Sequence, residues 1–202
     1  MSDSVMFHEG NRRLQDRFES RRIADRLEEK LTRSAFTESD RTFIEGLPFF
    51  FLATSDDRGR ADCSFKGGAP GFVRIVGESE LAFPDYDGNG MFKSLGNIVV
   101  NPEVGLLFID MAAKPRRLRV NGTARVSEDD PLMQRFAGAQ LLVRVTVRAI
   151  FPNCPRYVVT PGTPEPSVYA PRPGHVPPEP AWKGFDDFKD YVHPRQQTPQ
   201  GE

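Results

Sequence analysis

Histidine, cysteine and tryptophan are scarce in this chain of 202 residues, which carries three, two and one of them. No histidine lies between Pro48 and Phe151, so a Ser-His-Asp or Cys-His mechanism would have no histidine on that stretch. The two cysteines, Cys63 and Cys154, are far apart and form no CxxC motif, which argues against a disulfide framework and a zinc site. We therefore expect no metal, and a reducing, cytoplasmic environment.

Long apolar runs and an excess of one charge are also absent. No stretch approaches the roughly 20 apolar residues of a membrane span, and the N-terminus lacks the basic start and apolar segment of a secretory signal. Lys plus Arg total 27 and Asp plus Glu total 28, which gives a net charge of −1. A strongly basic nucleic-acid binder is excluded by that balance. We expect neither a membrane nor a nucleic acid as a partner.

Proline divides the chain into three regions. No proline precedes Pro48, six lie between Pro48 and Pro131, and twelve follow from Pro152 onward. Together with the hydrophobic pattern, this distribution predicts an N-terminal helical extension at 1–46, a strand-rich domain at 47–160, and an irregular proline-rich tail at 161–202. Within the tail, the four aromatic residues of 182–191 predict a final helical turn or two.

The first region is charged and has helical periodicity. Apolar residues recur at near-helical spacing among charged ones, which predicts one amphipathic helix from about Glu9 to Arg33. They are Leu14, Phe18, Ile23, Leu27 and Leu31. A second, shorter helix is predicted to begin near Thr37 or Ser39 and to end at Gly46. Each helix has an apolar stripe that must pack on the following domain or on a second subunit.

From Pro48 the pattern changes to short strands. Turn signals every 8–12 residues predict about seven strands with short helical inserts, and hence a mainly β antiparallel barrel or sandwich. One insert is a helix at Met91–Val100, ended by Asn101 and Pro102, and another begins at Asp130. The predicted strands are Phe49–Thr54, Arg60–Phe65, Phe72–Val76, Glu80–Phe83, Val104–Ile109, Arg117–Val126 and Leu141–Ile150.

Glycine-rich loops at strand ends are candidate ligand sites. The loops at 67–68 and 88–90 would let backbone amides approach a ligand closely. Hydroxyl and ammonium groups lie beside them and could bind a phosphate: Ser64, Lys66, Lys93 and Ser94. Ordinary loop glycines and surface lysines would give the same pattern. Because the side chains are poorly equipped for demanding chemistry, an enzyme built this way would need an organic cofactor.

Three segments follow one another in a family-specific order. They are FFFLATSDDRGRADCSFKGG, then ELAFPDYDGNGMFKSLGNIVVNPEVGLLFID, then RRLRVNGTARV, within about Leu47–Val126. In this order they resemble the pyridoxamine 5'-phosphate oxidase-like, FMN-binding split-barrel proteins, and KSLGNIVVNPEVGLLFID is the most specific part. The resemblance implies a six- to seven-stranded antiparallel split barrel and a homodimer with one FMN in each of two clefts between the subunits.

The same resemblance implies which residues hold FMN. On the strand that meets the ribityl chain and phosphate lie Ser64, Phe65 and Lys66. The implied phosphate-gripping pair is Lys93 and Ser94, with Asn97 one turn further along the helix. The implied flavin-lining residues are Pro84, Asp85, Tyr86 and Arg117, the last falling where the family places a polar side chain near the ring.

In function, the resemblance implies an FMN-dependent oxidoreductase that transfers a hydride or electrons to or from a small-molecule substrate. The alternative is a non-catalytic protein that binds flavin, deazaflavin or a tetrapyrrole. No side chain stands out as a catalytic acid or base. The sequence also departs from the pattern of the oxidases that act on pyridoxamine 5'-phosphate: Ser64 stands where those enzymes have an arginine, and the Gly88–Ser94 loop is longer. Pyridoxamine 5'-phosphate is therefore not the expected substrate, and the substrate stays open.

Overall fold

The computed structural model describes residues 4–111, 115–154, 156–158, 168, 175 and 177–192. The chain divides into two compact units, one of Met1–Thr32 with Glu165–Glu202 and the other of Arg33–Pro164. Most of the predicted tail falls outside the described residues. Within the described ranges, no helix is both long enough and apolar enough to cross a membrane.

The first unit begins with two helices, α1 (Glu9–Arg17) and α2 (Arg21–Leu31). The single helix predicted over residues 9–33 is therefore wrong. The chain turns between the two helices, where Glu19 adopts the left-handed conformation with φ of 50°. The break coincides with a five-residue step in the apolar spacing, from Phe18 to Ile23, whereas the steps on either side of it are four residues. An ion pair of 2.5 Å between Arg12 and Asp25 joins the two helices.

A C-terminal segment packs against α2 within the same unit. It contains a short 3-10 helix, Ala181–Gly184, followed by turns, which agrees with the helical turn predicted there. The Arg26 guanidinium donates to the backbone carbonyl of Asp187 at 2.9 Å and lies 5.0 Å from the centre of the Tyr191 ring. These contacts hold residues near the two ends of the described chain in one unit.

The second unit is a seven-stranded antiparallel sheet in the order β2-β1-β5-β6-β7-β4-β3. The edge strands β2 and β3 do not pair with each other, so the sheet is an incomplete barrel, and the predicted mainly β split-barrel fold is confirmed. Its strands are β1 (Phe49–Ser55), β2 (Ala61–Gly67), β3 (Arg74–Gly77), β4 (Glu80–Tyr86), β5 (Glu103–Asp110), β6 (Arg116–Ser127) and β7 (Ala139–Asn153).

Two α-helices accompany the sheet, α3 (Glu38–Gly46) and α4 (Lys93–Val100), together with a 3-10 helix at Pro131–Arg135 that Asp130 caps, as predicted. The predicted start of α3 is confirmed, because Thr37 and Asp40 cap it reciprocally. Helix α4 starts two residues later than predicted, at Lys93. Strand β4 runs three residues beyond its predicted end at Phe83, because Asp85 and Tyr86 still pair with β7.

The core lies between the curled faces of the sheet. Alternate residues of β1 point inward, and Phe50 is fully buried there. Its ring lies 5.0 Å from that of Phe83 on β4 and 5.2 Å from that of Phe108 on β5. Because β1 and β4 are separated by three strands in the sheet order, this contact requires the sheet to curl back on itself.

Two arginines of β7 are held by carboxylates outside this core. Arg144 pairs with Asp130 at 2.5 Å and with Glu80 at 3.0 Å. The hydrogen bond from Arg144 lowers the pKa of Asp130 to about 2. Arg148 makes two bonds to Glu103, at 3.0 and 2.8 Å. Both guanidinium groups are therefore occupied by protein carboxylates.

Strand β6 bends at a register shift between Asn121 and Gly122. A Cβ on residue 122 would collide with the carbonyl oxygen of Thr146 on the neighbouring strand. That atom belongs to the backbone of a paired strand and cannot move aside as a flexible side chain could. The close approach of β6 to β7 therefore requires glycine at this position.

We expect Gly122→Ala to lower the free energy of unfolding by about 2 kcal/mol, because the methyl group forces the paired strands apart. The control is Gly96→Ala in α4, where an added Cβ meets no atom within 4 Å. That substitution should raise the free energy of unfolding by about 0.5 kcal/mol, since alanine favours helix over glycine. Urea unfolding of both variants measures the difference, and equal stabilities would contradict the assigned close approach.

Candidate functional site

A cleft of about 590 Å³ lies between β2, the end of β4 and the start of α4. This volume is typical of small-molecule sites. Its lining comes mainly from two continuous segments, 62–67 and 84–95. Eight of the ten residues predicted to bind FMN line it together: Ser64, Phe65, Lys66, Pro84, Asp85, Tyr86, Lys93 and Ser94. Asn97 and Arg117 do not line it.

The start of α4 has the features of an anion site. Phe92 precedes the helix in the left-handed conformation, with φ of 47°, and caps no backbone amide with its side chain. The first residue of the helix is Lys93, and the first turn contains no acidic side chain. The amide groups and the positive end of the helix dipole therefore face the cleft region together with an ammonium group. Such a helix start favours the binding of an anion.

Two serines join β2 to this helix. The hydroxyl oxygens of Ser64 and Ser94 lie 2.8 Å apart, and Ser94 is buried. Whichever hydroxyl donates in this bond, the other keeps its proton for a second acceptor. Lys66 lies two residues after Ser64 on β2, so both side chains project to the same face of the strand. The cleft therefore presents two hydroxyl groups and two ammonium groups in one region.

Asn97 lies behind the cleft lining, one turn after Lys93. Its side-chain oxygen accepts from the Lys93 Nζ at 3.5 Å, and its side-chain nitrogen donates to Thr54 Oγ1 at 2.9 Å. Asn97 is buried among core residues. This geometry suits a residue that orients the Lys93 ammonium from behind, whereas the sequence had predicted a direct ligand contact.

Carboxylates line the same cleft. They belong to Asp62 on β2, Asp85 on β4 and Asp87 in the following loop. Burial raises the pKa of Asp85, and the nearby Lys66 ammonium opposes that rise. Asp62 was missed in the sequence, although its two-residue spacing from Ser64 on one strand could have identified it. Across the described ranges, no three histidine, cysteine or acidic side chains come together as a metal site would require.

Arg117 lies elsewhere in the sheet. It pairs with Ile109 of β5 and Asn153 of β7, and its guanidinium donates to the carbonyl of Cys154. Its Nε is buried without a hydrogen-bond partner in the described part of the chain, as is the Oδ1 of Asn153. Within one chain, the structure therefore does not bring Arg117 to the cleft.

Solved structures with a similar course of the chain include HupZ of Group A Streptococcus, at 17% identity and a TM-score of 0.47, covering 58% of this chain and 93% of that one. An FMN-binding protein from Syntrophomonas wolfei has 10% identity and a TM-score of 0.45, covering 72% of this chain and 96% of that one. HutZ, a heme storage protein from Vibrio cholerae, has 17% identity and a TM-score of 0.43, covering 56% and 92%.

Similarity at this level gives no information about ligand or activity. A search of curated proteins found no match. Residues 36–162, which are more than half of the chain, match the family Pyridoxamine 5'-phosphate oxidase. That span contains the whole sheet, α4 and every residue that lines the cleft. The chain therefore belongs to the pyridoxamine 5'-phosphate oxidase family.

Proposed function

We propose that this protein binds FMN in the cleft and uses it as an oxidoreductase on a small molecule. The observation that carries the proposal is the start of α4, where uncapped amides, Lys93 and the Ser64–Ser94 pair converge. A phosphate monoester supplies the negative charge and the several acceptor oxygens that this donor set requires. Membership of the family supports the same choice of ligand.

The rest of the cleft fits a planar aromatic ring system. Pro84, Tyr86 and Phe92 contribute apolar and aromatic surface to its lining. Different elements carry the two kinds of side chain, because the lysines and serines lie on β2 and α4 while Pro84 and Tyr86 lie on β4. Lys66, Lys93, Ser64 and Ser94 would hold the phosphate, and the β4 residues would orient the ring and exclude water from it.

Bound FMN would supply the hydride-transfer chemistry that these side chains lack. The protein contributes binding, orientation and a dry surface. The lining also contains two titratable groups at the end of β4, Asp85 and Tyr86, and both are half-buried. The substrate is a small molecule that enters the same cleft. The alternative is a non-catalytic protein that binds FMN and turns over no substrate.

We further propose that the protein is a homodimer. Three rings cluster on the outer face of β1 and β2: Phe49 stacks on Phe65 at 5.3 Å, and Phe51 meets Phe65 edge-on at 6.0 Å. Phe65 nevertheless stays 62% exposed. A contiguous exposed apolar surface of this kind is typical of a protein interface.

Strand register connects that surface with Arg117. Phe51 lies opposite Leu107, and Leu107 lies opposite Arg119, so these three residues form one row across β1, β5 and β6. Arg117 is two residues along β6 from Arg119 and therefore projects from the same side of the sheet. A second copy packed on this side would bring the Arg117 of each subunit toward its neighbour, as the family resemblance implies for the flavin site.

Lys93→Ala should weaken FMN binding about tenfold, because it removes a charge-assisted bond to the phosphate. Arg148→Ala is the matched control, since that guanidinium pairs with Glu103. Quenching of flavin fluorescence gives both dissociation constants, and riboflavin, which has no phosphate, should not distinguish the variants.

Wild-type protein that binds no FMN would contradict the flavin proposal. Reduction of the bound flavin by NAD(P)H, followed by reoxidation with candidate substrates, separates an oxidoreductase from a protein that only binds flavin. Flavin that stays oxidised with every donor would favour the latter.

Asn97→Ala should weaken FMN binding about threefold to tenfold by releasing the Lys93 ammonium from its acceptor. The diagnostic measurement is a double-mutant cycle. If Asn97 acts through Lys93, the double variant binds FMN no more weakly than Lys93→Ala alone, and riboflavin affinity stays unchanged. An equal loss of riboflavin affinity would show that Asn97 acts only by supporting the fold. Additive losses confined to FMN would show that Asn97 acts independently of Lys93.

Sedimentation equilibrium should give twice the chain mass of 22.7 kDa. Phe51→Glu should shift the protein to a monomer, because it places a charge beside the rings of Phe49 and Phe65. Thr42→Glu is the control, as Thr42 is exposed on α3. Circular dichroism checks that both variants fold. A monomeric wild-type protein that holds FMN would contradict the dimer proposal.

A further inference from the structure

Asp85 occupies an unusual position in the cleft. Its side chain is half-buried at the end of β4, and no hydrogen-bond donor contacts its carboxylate among the described residues. Its neighbours on β4, Pro84 and Tyr86, also line the cleft. A half-buried carboxylate without a donor is costly to keep charged, so its charge state depends on whatever else the cleft contains.

The charged groups that line the cleft together with Asp85 come from three elements. Strand β2 contributes Asp62 and Lys66, the loop after β4 contributes Asp87, and α4 contributes Lys93. Of these, Lys66 is the cation whose attraction acts on Asp85. Lys66 is also one of the two ammonium groups available to an anionic ligand. The Asp85 carboxylate and a bound anion therefore compete for the same cation.

We propose that Asp85 sets the affinity of the cleft for anionic ligands by competing with them for Lys66. The inference rests on the proposed FMN site and adds a regulatory property to it. With Asp85 charged, Lys66 is partly neutralised and the carboxylate repels the incoming phosphate. With Asp85 protonated, both effects disappear and the ammonium is fully available to the ligand.

The sign of the pH dependence follows from linkage. Burial already raises the pKa of Asp85, and an anion bound nearby raises it further, because like charges disfavour the ionised form. Ligand binding is then coupled to proton uptake at Asp85. This contribution to FMN affinity increases as the pH falls through the titration of Asp85, and it is absent once Asp85 cannot ionise.

Asp85→Asn tests the proposal directly. At pH 7.5 the variant should bind FMN about fivefold more tightly than the wild type. The affinity ratio between variant and wild type should fall toward one as the pH is lowered through the titration of Asp85. Part of this fall comes from the FMN phosphate, because its own protonation, with a pKa of about 6, weakens its repulsion by Asp85. Riboflavin has no anionic group, so variant and wild type should bind it with equal affinity at each pH.

Two further variants test the route. Asp87→Asn removes an exposed carboxylate from the same cleft, and its effect should be smaller because solvent screens an exposed charge. In a Lys66→Met background, Asp85→Asn should gain less affinity for FMN than it does in the wild type. Asp85→Ser provides a second uncharged replacement should the asparagine variant fail to fold.

Equal FMN affinities for wild type and both Asp85 variants at all pH values would overturn this inference. If FMN binding still depended on Lys93 in that case, the proposed flavin site would stand and only the role of Asp85 would fall. No FMN binding by the wild type would overturn the flavin site and this inference together. An Asp85→Asn gain that is unaffected by Lys66→Met would overturn the competition for Lys66.

Discussion

The packing of Phe50 against Phe83 is the contact on which the second unit depends. Three strands separate β1 from β4 in the sheet, so these rings reach 5.0 Å only because the sheet curls. The ring of Phe108 on β5 also lies against the ring of Phe50. Each fully buried aromatic side chain contributes roughly 2–3 kcal/mol through removal of apolar surface from water. The curl is therefore maintained by the core itself, without pairing between the edge strands.

The position of the cleft follows from this incomplete closure. Strand β2 is one edge of the sheet, and β4 is next to the other edge, yet residues of both line one cavity. The start of α4 supplies the remaining side, through Lys93 and the bond between Ser64 and Ser94. Polar side chains that face such a gap do not interrupt the core. The left-handed Phe92 and the uncapped helix start are unfavourable for stability alone, which is typical of a ligand site.

The sequence predicted those parts of the fold that depend on short-range patterns. Turn signals and short apolar or alternating runs identified the seven strands, and the Thr37 cap identified the start of α3. The break at Glu19 had only a weak signal, a single five-residue step from Phe18 to Ile23 in otherwise four-residue apolar spacing. The left-handed conformation of Phe92 has no signal in the sequence, since that residue type rarely adopts it. Eight of the predicted site residues line the cleft. The sequence could identify them because strand ends and a helix start are local features.

Asn97 and Arg117 show where such reasoning stops. Whether Asn97 faces the cleft or supports a neighbour depends on its bond to Thr54, which is 43 residues away in sequence and on another element. The position of Arg117 depends on the register of three strands. Its neighbour Arg119 lies opposite Leu107 of β5, and Leu107 lies opposite Phe51 of β1, beside the exposed ring of Phe65 on β2. Local sequence specifies which groups a strand carries and which side they take. The ligand that the cleft accepts depends on how cations and carboxylates from different elements share that space, because two lysines and three aspartates act on a ligand by their arrangement and not by their sum.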